Sequence, residues 1–149
     1  MGNPFIYFRL DSIGELKRDA SCPVRELDLH KDLTGIQRFY ARFTDTPVNP
    51  DEFDQTVGNP LAVMKDDEIV SFAIPLSFRD GETEIGGVAT VPEQQNQGLC
   101  KALISEMAFR ILNSGKAATL TTEQKNLPMR AAAAAIGMRE FIRNDTAAK

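Results

Sequence analysis

A mixed α/β fold of the α+β type is the class that the sequence predicts, and three observations lead to it. Three strand-like segments follow one another between residues 61 and 91, separated by short polar turns. A helix pattern with an apolar residue every four positions begins at Leu99. A further strand and an alanine-rich helix follow, so the order is strand, two helices, three strands, helix, strand, helix, strand.

The composition predicts one folded domain over residues 1–149. Of the 149 residues, 42% are hydrophobic and 26% are charged, which suits a single core. A net charge of -4 without a lysine or arginine cluster argues against nucleic-acid binding. There is no apolar run near the roughly 20 residues that cross a bilayer, and no secretory signal pattern at the start. We therefore expect a cytoplasmic location without membrane or nucleic-acid partners.

The first half of the chain contains one strand pattern and two helix patterns. Residues 23–29 alternate imperfectly, as in a strand. After Asp32, apolar side chains fall on one helical face, at Leu33, Ile36, Tyr40 and Phe43. Asn49 can cap a second, short helix, because Pro50 suits the first helical position and acids follow it.

An antiparallel meander is expected in the middle of the chain. Residues 61–78 read as two strands around a turn at Asp66-Asp67. A third strand, residues 83–91, follows the turn at 79–82.

The second half alternates helices and strands. The helix pattern that starts at Leu99 is stopped by Gly115, and residues 117–122 read as a strand. Asn126 can cap the alanine-rich helix, which Gly137 ends. Residues 138–143 are a last strand candidate.

A polar loop at residues 91–98 joins the meander to the helix at Leu99. The start of a helix has up to four N–H groups without intrahelical partners, and the helix dipole adds partial positive charge there. Gly98 allows an anion to approach the backbone closely, and Gln95, Asn96 and Gln97 add neutral donors. The loop is therefore a candidate phosphate site, although most helix starts of this kind bind only water.

The loop residues Gln95-Asn96-Gln97-Gly98-Leu99-Cys100 resemble the Q/R-x-x-G-x-G/A signature of the GNAT superfamily of acetyl-CoA-dependent N-acyltransferases. The preceding strand, the strand at 117–122 and Asn126 also match the order of that family. The resemblance covers residues 60–141 by motif and residues 23–57 by element order. It implies a central, mostly antiparallel mixed sheet of six or seven strands flanked by about four helices.

The resemblance also implies a coenzyme site. In the family, part of the fourth strand separates from the fifth, so that its backbone groups can pair with the pantetheine arm. In this chain, that part of the fourth strand corresponds to Val88, Ala89 and Thr90. An N–H in this stretch could also polarise the thioester carbonyl. The pyrophosphate would bind Gln95, Asn96, Gln97, Gly98, Leu99 and Cys100. Lys101 would add charge, and Asn126 would contact the pantetheine.

Two carboxylates are candidate bases for removing a proton from an acceptor amine. Glu84 lies eleven residues before Gln95, where many family members carry such a glutamate. Glu123, at the end of the following strand, is the second candidate. Many relatives carry a tyrosine general acid seven residues after the asparagine, but Ala133 stands there in this chain. Solvent or another side chain would then protonate the thiolate, and neither Tyr7 nor Tyr40 can be assigned that role.

The remaining special residues are given structural roles. Cys100 is expected to be a tolerated small residue, with its pKa lowered by the helix start, rather than a nucleophile. Cys22 is expected to pack as a small apolar side chain. His30, the only histidine, is read as a surface or structural residue, and no metal site is expected.

The ends of the sheet raise a further expectation. Only six residues follow residue 143, too few for the seventh strand that usually completes the family's sheet. Residues 1–22 form an N-terminal extension whose strand-like residues 4–10 could fill a vacant edge, within the chain or in a homodimer partner.

Three functional interpretations remain open. The first is an acetyltransferase that moves an acetyl group from acetyl-CoA to a primary amine of a small molecule or peptide, by direct attack in a ternary complex. The second is a module that binds coenzyme A or acyl-CoA without turnover, and the third is an unrelated fold with a chance loop. Residues 43–57 are expected to line the acceptor site. Their acids would suit a cationic amine, although an acidic loop is more often simply solvated; they are Asp45, Asp51, Glu52 and Asp54. The sequence does not choose between a polyamine, an amino sugar, an amino acid and a protein lysine.

Overall fold

Seven strands form one sheet in residues 3–143, the part of the chain that the computed structural model describes. The strands are β1 Phe5–Leu10, β2 Arg25–Glu26, β3 Leu61–Lys65, β4 Glu68–Leu76, β5 Glu82–Thr90, β6 Ala117–Glu123 and β7 Arg139–Phe141. Their order across the sheet is β2-β3-β4-β5-β6-β1-β7. Neighbouring strands are antiparallel except β5 and β6, which are parallel. The mixed, mostly antiparallel sheet is therefore confirmed.

The described part of the chain holds three α-helices beside the sheet, where about four were expected: α1 Leu33–Tyr40, α2 Leu99–Asn113 and α3 Leu127–Ala135. The predicted second short helix is a single 3-10 turn at Pro50–Glu52. Asn49 does cap this turn, because its side chain accepts a hydrogen bond from the Asp51 N–H. The helix stops there because the Asp54 carboxylate accepts hydrogen bonds from the Thr56 N–H and hydroxyl, a local bonding pattern that competes with helix formation.

The N-terminal strand lies inside the sheet. Residues Phe5 to Leu10 pair with β6 over their whole length, and Tyr7 to Arg9 also pair with β7. The expected strand at residues 4–10 is therefore present, but the prediction that it fills a vacant edge is wrong. It separates β6 from β7 within one chain, so it gives no argument for a dimer partner.

The hydrophobic core lies largely between the sheet and α2, which contacts β3, β4, β5 and β6. Side chains alternate along β1, with Phe8 and Leu10 buried in this core. On β4, every residue from Ile69 to Pro75 is buried, as expected for a central strand covered on both faces. Helix α1 packs on β4, where the ring centroids of Phe39 and Phe72 are 5.6 Å apart.

The predicted turns and helix ends are mostly confirmed. Asp66 and Asp67 both have positive φ, as a two-residue hairpin turn requires. Asn126 caps α3 by accepting a hydrogen bond from the Met129 N–H at 3.2 Å. The expected strand at residues 23–29 is reduced to two residues, Arg25–Glu26.

The segment after β1 packs against the end of α3. The N–H of Lys17 donates to the Ile136 carbonyl at 2.8 Å. Gly137 has a φ of +96°, and a Cβ built on it would lie 2.3 Å from the Glu15 carbonyl oxygen. Only glycine satisfies both the backbone conformation and this contact. The segment is therefore held to α3 by backbone atoms.

We expect Gly137→Ala to destabilise the protein by about 3 kcal/mol or more, because the methyl group clashes with backbone that cannot move alone. Gly115→Ala is the matched control, since Gly115 has a φ of +90° but a Cβ there would meet no atom within 4 Å. It should cost only about 1–2 kcal/mol of backbone strain. Urea unfolding measures the free energy of unfolding of both variants. An equal loss of stability in the two would contradict the close contact at Gly137.

Candidate active site

Strands β5 and β6 separate from each other after a short paired region. Their parallel pairing is limited to three residue pairs and ends at Glu84 and Thr119. On its other side, β5 has a bulge against β4, because the register shifts between Phe72 and Ile74 of β4. Gly87, with a φ of +58°, lies at this bulge. The second half of β5, beyond Glu84, therefore diverges from β6. We call the gap between these two parts of the strands the wedge.

The predicted pantetheine-binding residues Val88, Ala89 and Thr90 lie along this wedge. All three are half-buried. The Thr90 hydroxyl is 2.8 Å from the buried Ser71 hydroxyl of β4, and the Thr90 carbonyl accepts a hydrogen bond from the Gln95 side chain. These bonds fix the end of β5 relative to the loop that follows.

The loop from β5 to α2 presents consecutive backbone N–H groups. A 3-10 turn at Pro92–Gln94 is followed by two residues with positive φ, Asn96 at 65° and Gly98 at 77°. The first bond of α2 runs from the Ala102 N–H to the Gly98 carbonyl. Within the described residues, the six N–H groups from Asn96 to Lys101 have no acceptor. A Cβ on Gly98 would meet no atom within 4 Å, so the space beside the loop is open.

Three cations lie at this loop, and the sequence identified only one of them. Lys101, the expected one, has its Nζ 3.4 Å from the Asp19 carboxylate. Arg42 pairs with Glu93 at 2.7 Å. Lys65, at the end of β3, donates from Nζ to the Gln97 side-chain oxygen at 3.2 Å. Lys65 was missed because it lies 32 residues before Gln97 and no local pattern joins the two.

The environment of Cys100 corrects one expectation. Its side chain is largely covered, with Sγ 4.0 Å from the Met129 Sδ of α3. Burial raises the pKa of the Cys100 thiol to about 11, so the predicted lowering by the helix start is wrong. Desolvation disfavours the charged thiolate and so raises the pKa of the thiol. Cys22 is also half-buried against the core, and burial raises the pKa of its thiol.

Glu84 lies where the two strands part. Its Oε1 accepts a hydrogen bond from the Thr121 hydroxyl of β6 at 3.1 Å. Burial raises the pKa of Glu84, and the Thr121 bond and the charges of Arg143 and Arg79 only partly oppose this. The neighbouring Glu82 carboxylate accepts hydrogen bonds from Arg9 and Arg143 at 2.9 and 2.7 Å. Glu84 is thus a partly buried carboxylate beside an ion-pair cluster.

Glu123 is not brought close to Glu84. It lies four residues beyond Thr119, the β6 partner of Glu84, which is roughly 13 Å at 3.3 Å per residue. Its side chain is exposed, and Oε2 is 3.4 Å from the Lys125 Nζ. The two candidate bases therefore occupy different environments, one partly buried and one solvated.

Helix α3, which follows β6, contains no residue with a hydroxyl group. Ala133 is fully buried in the core, and its methyl group has no proton to donate. Tyr7, on β1, accepts a hydrogen bond from the Asn3 side chain at 3.1 Å. Tyr40 is half-buried at the end of α1, with its ring 5.4 Å from that of Phe72. Its hydroxyl has no hydrogen-bond partner among the described residues.

Two cavities lie away from the loop. One of about 690 Å³ is at the end of α2, beside Thr83, Met107 and Arg110. Another of about 450 Å³ lies on the outer sheet, beside Tyr7, Phe141 and Arg130. His30 is exposed, with its ring Nε2 3.5 Å from the Gln55 amide.

Residues 3–143 hold neither a metal-binding cluster nor a membrane-spanning helix. They contain no group of three or more His, Cys, Asp or Glu side chains placed to bind a metal. None of their helices is long and apolar enough to span a bilayer.

Solved structures with the same fold are numerous. A protein assigned to the GNAT family from Novosphingobium aromaticivorans superposes with a TM-score of 0.74 at 18% identity over 92% of this chain and 59% of its own. The ribosomal-protein-S18-alanine N-acetyltransferase of Escherichia coli superposes with a TM-score of 0.62 at 21% identity, over 80% of this chain and 79% of its own. AAC(6')-Iy, solved with the bisubstrate analogue CoA-S-monomethyl-acetylneamine, superposes with a TM-score of 0.67 at 17% identity, over 85% of this chain and 97% of its own.

These similarities define the fold, and the sequence profile defines the family. The chain spans only 59%, 52% and 53% of three of the similar GNAT structures. No curated protein matches it significantly in sequence. The profile of the acetyltransferase (GNAT) family matches residues 28–138, which include the meander, the loop, α2 and α3. The chain therefore belongs to the GNAT family of acetyltransferases.

Proposed function

We propose that this chain transfers an acetyl group from acetyl-CoA to a primary amine of a small molecule or peptide, by direct attack in a ternary complex. The observation that carries the proposal is the wedge between β5 and β6, which opens beside six unpartnered N–H groups in a member of the GNAT family. The presence of a CoA-based bisubstrate analogue in the similar AAC(6')-Iy structure supports it.

The donor set at the loop fits the pyrophosphate of coenzyme A. Backbone N–H groups from Asn96 to Lys101 can donate to phosphate oxygens, and the open space at Gly98 leaves room for them. The pantetheine arm would then lie along Val88, Ala89 and Thr90. The Asn126 side chain can contact that arm through its amide nitrogen while its oxygen caps α3. When bound, acetyl-CoA supplies an activated thioester.

Glu84 is the proposed general base. Its position at the opening of the wedge and its raised pKa suit a carboxylate that accepts a proton from an amine near neutral pH. Glu123 is the second choice, because its exposed carboxylate pairs with Lys125. An N–H within Val88 to Thr90 would polarise the thioester carbonyl.

Tyr40 is the proposed general acid in place of the usual tyrosine. It packs on Phe72, whose β4 position is paired with Ala89 of the wedge. Burial raises the pKa of the Tyr40 hydroxyl above its ordinary value, so it keeps the proton that it would donate to the departing thiolate. Tyr7 is less suited, because β6 separates its strand from β5.

The acceptor would enter beside α1, over residues 43–57. The acidic side chains there include Asp45, Asp51, Glu52 and Asp54 and would favour a cationic amine. The second candidate function, a module that binds coenzyme A without turnover, is favoured by the buried Ala133.

Gly98→Glu should raise the Kd for coenzyme A by about a hundredfold or more, because a carboxylate would meet the pyrophosphate charge. Isothermal titration calorimetry measures this. Gly98→Ala is the control: its methyl group meets no atom within 4 Å, so it tests the backbone conformation alone. Equal binding by wild-type protein and Gly98→Glu would contradict the assignment of this loop.

Glu84→Gln should lower kcat by about 10²–10⁴-fold without changing the Kd for coenzyme A, because it removes the proton acceptor only. Thiol release with a panel of amines measures kcat. The raised pKa of Glu84 places the acidic limb of the pH–rate profile above the range of an ordinary glutamate. Thr121→Val removes a bond to the carboxylate form, so the limb should move to still higher pH.

The comparison variant for this test is Glu123→Gln, which changes the same group on the neighbouring strand. A larger loss of kcat in Glu123→Gln than in Glu84→Gln would assign the base to Glu123 instead. Coenzyme binding without turnover by the wild-type protein across the amine panel would favour the binding module.

Tyr40→Phe should lower kcat by about tenfold, less than is usual for a general acid because a thiolate leaves readily. The Kd for acetyl-CoA should stay unchanged, and the basic limb of the pH–rate profile should disappear. Tyr7→Phe is the matched control, expected to retain kcat. Retention of the basic limb in Tyr40→Phe would show that solvent protonates the thiolate.

A further inference from the structure

The charge balance around the loop singles out one residue. Arg42 and Lys101 each contact a carboxylate, Glu93 at 2.7 Å and Asp19 at 3.4 Å. Among the described residues, the Lys65 ammonium makes one hydrogen bond, to the neutral side-chain oxygen of Gln97, and no ion pair. The first two cations are thus each paired with a carboxylate, whereas Lys65 reaches the loop without an ion pair among the described residues.

We propose that Lys65, rather than Lys101, is the side-chain cation that binds the pyrophosphate of coenzyme A. This inference rests on the proposed coenzyme site and adds a residue to it from β3, two strands away from the wedge in the sheet order. Lys65 ends β3 and is exposed, so its ammonium can leave Gln97 for a phosphate without breaking packing.

The contact to Gln97 explains how Lys65 is held near the loop before a ligand binds. A neutral amide oxygen is a weaker partner for an ammonium group than a phosphate oxygen, because the phosphate adds the attraction of a full negative charge to the hydrogen bond. Gln97 therefore keeps the ammonium beside the unpartnered N–H groups without neutralising it. Lys101 would have to give up Asp19, whose carboxylate also accepts from the Ser21 N–H at 2.8 Å.

The test is the binding of coenzyme A and of dephospho-coenzyme A, measured by titration calorimetry. Lys65→Met should raise the Kd of both about tenfold, because each retains the pyrophosphate. Lys65→Arg keeps the charge and should stay within about threefold of wild type. The affinity of the wild-type protein should fall more steeply with salt than that of Lys65→Met.

Two further variants control for charge and location. Lys116→Met removes an exposed lysine just beyond the other end of α2, so it should bind as wild type does. Lys101→Met should lose less affinity than Lys65→Met. All variants are checked for an unchanged thermal unfolding midpoint.

The results that would overturn the inference are distinct from failure of the proposed function. Equal affinity in Lys65→Met and wild type would overturn it, as would a larger loss in Lys101→Met. A loss seen with coenzyme A but not with dephospho-coenzyme A would assign Lys65 to the 3′-phosphate and overturn the pyrophosphate contact. If wild-type protein binds neither compound, the coenzyme site itself is wrong, and the Lys65 inference falls with it.

Discussion

The pairing of β1 with β6 is the interaction on which the rest of the sheet depends. Six residue pairs join the two strands, and within residues 3–143 β7 is attached to the sheet only through β1. Without β1, β6 would expose an unpaired edge and β7 would have no neighbour. β1 also supplies Arg9, whose guanidinium binds Glu82 two residues from the proposed base. An N-terminal segment thus supports both the architecture and the electrostatics of the site.

The wedge is a consequence of this arrangement. β6 keeps a full set of partners on β1, and β5 is held by β4 on its other side. The two strands can therefore separate beyond Glu84 while each retains one ladder of hydrogen bonds. The backbone groups left inside the wedge are those that need an outside partner, since buried amides rarely stay unpaired. The pantetheine arm of the proposed coenzyme, which has amides of its own, would meet that requirement.

Local patterns were enough to predict most elements and the loop. The four-residue repeat from Leu99 predicted α2, and Gly115 marked its end. Contacts between distant segments were beyond the sequence: the place of β1 depends on pairing between Phe5 and Glu123, and Lys65 meets Gln97 only through the fold. The pKa of Cys100 was misjudged because its direction depends on burial against Met129, which no local pattern reports.

The position of β1 also bears on how the chain reaches its native state. Among the described strands, β1 is synthesised first, whereas its two partners, β6 and β7, are synthesised last. β1 therefore stays unpaired until nearly the whole domain has been synthesised. Pairing between strands so far apart in the sequence slows folding. Until then, Phe5, Ile6 and Phe8 lack their partners on β6. Completion of the sheet is thereby tied to completion of the domain.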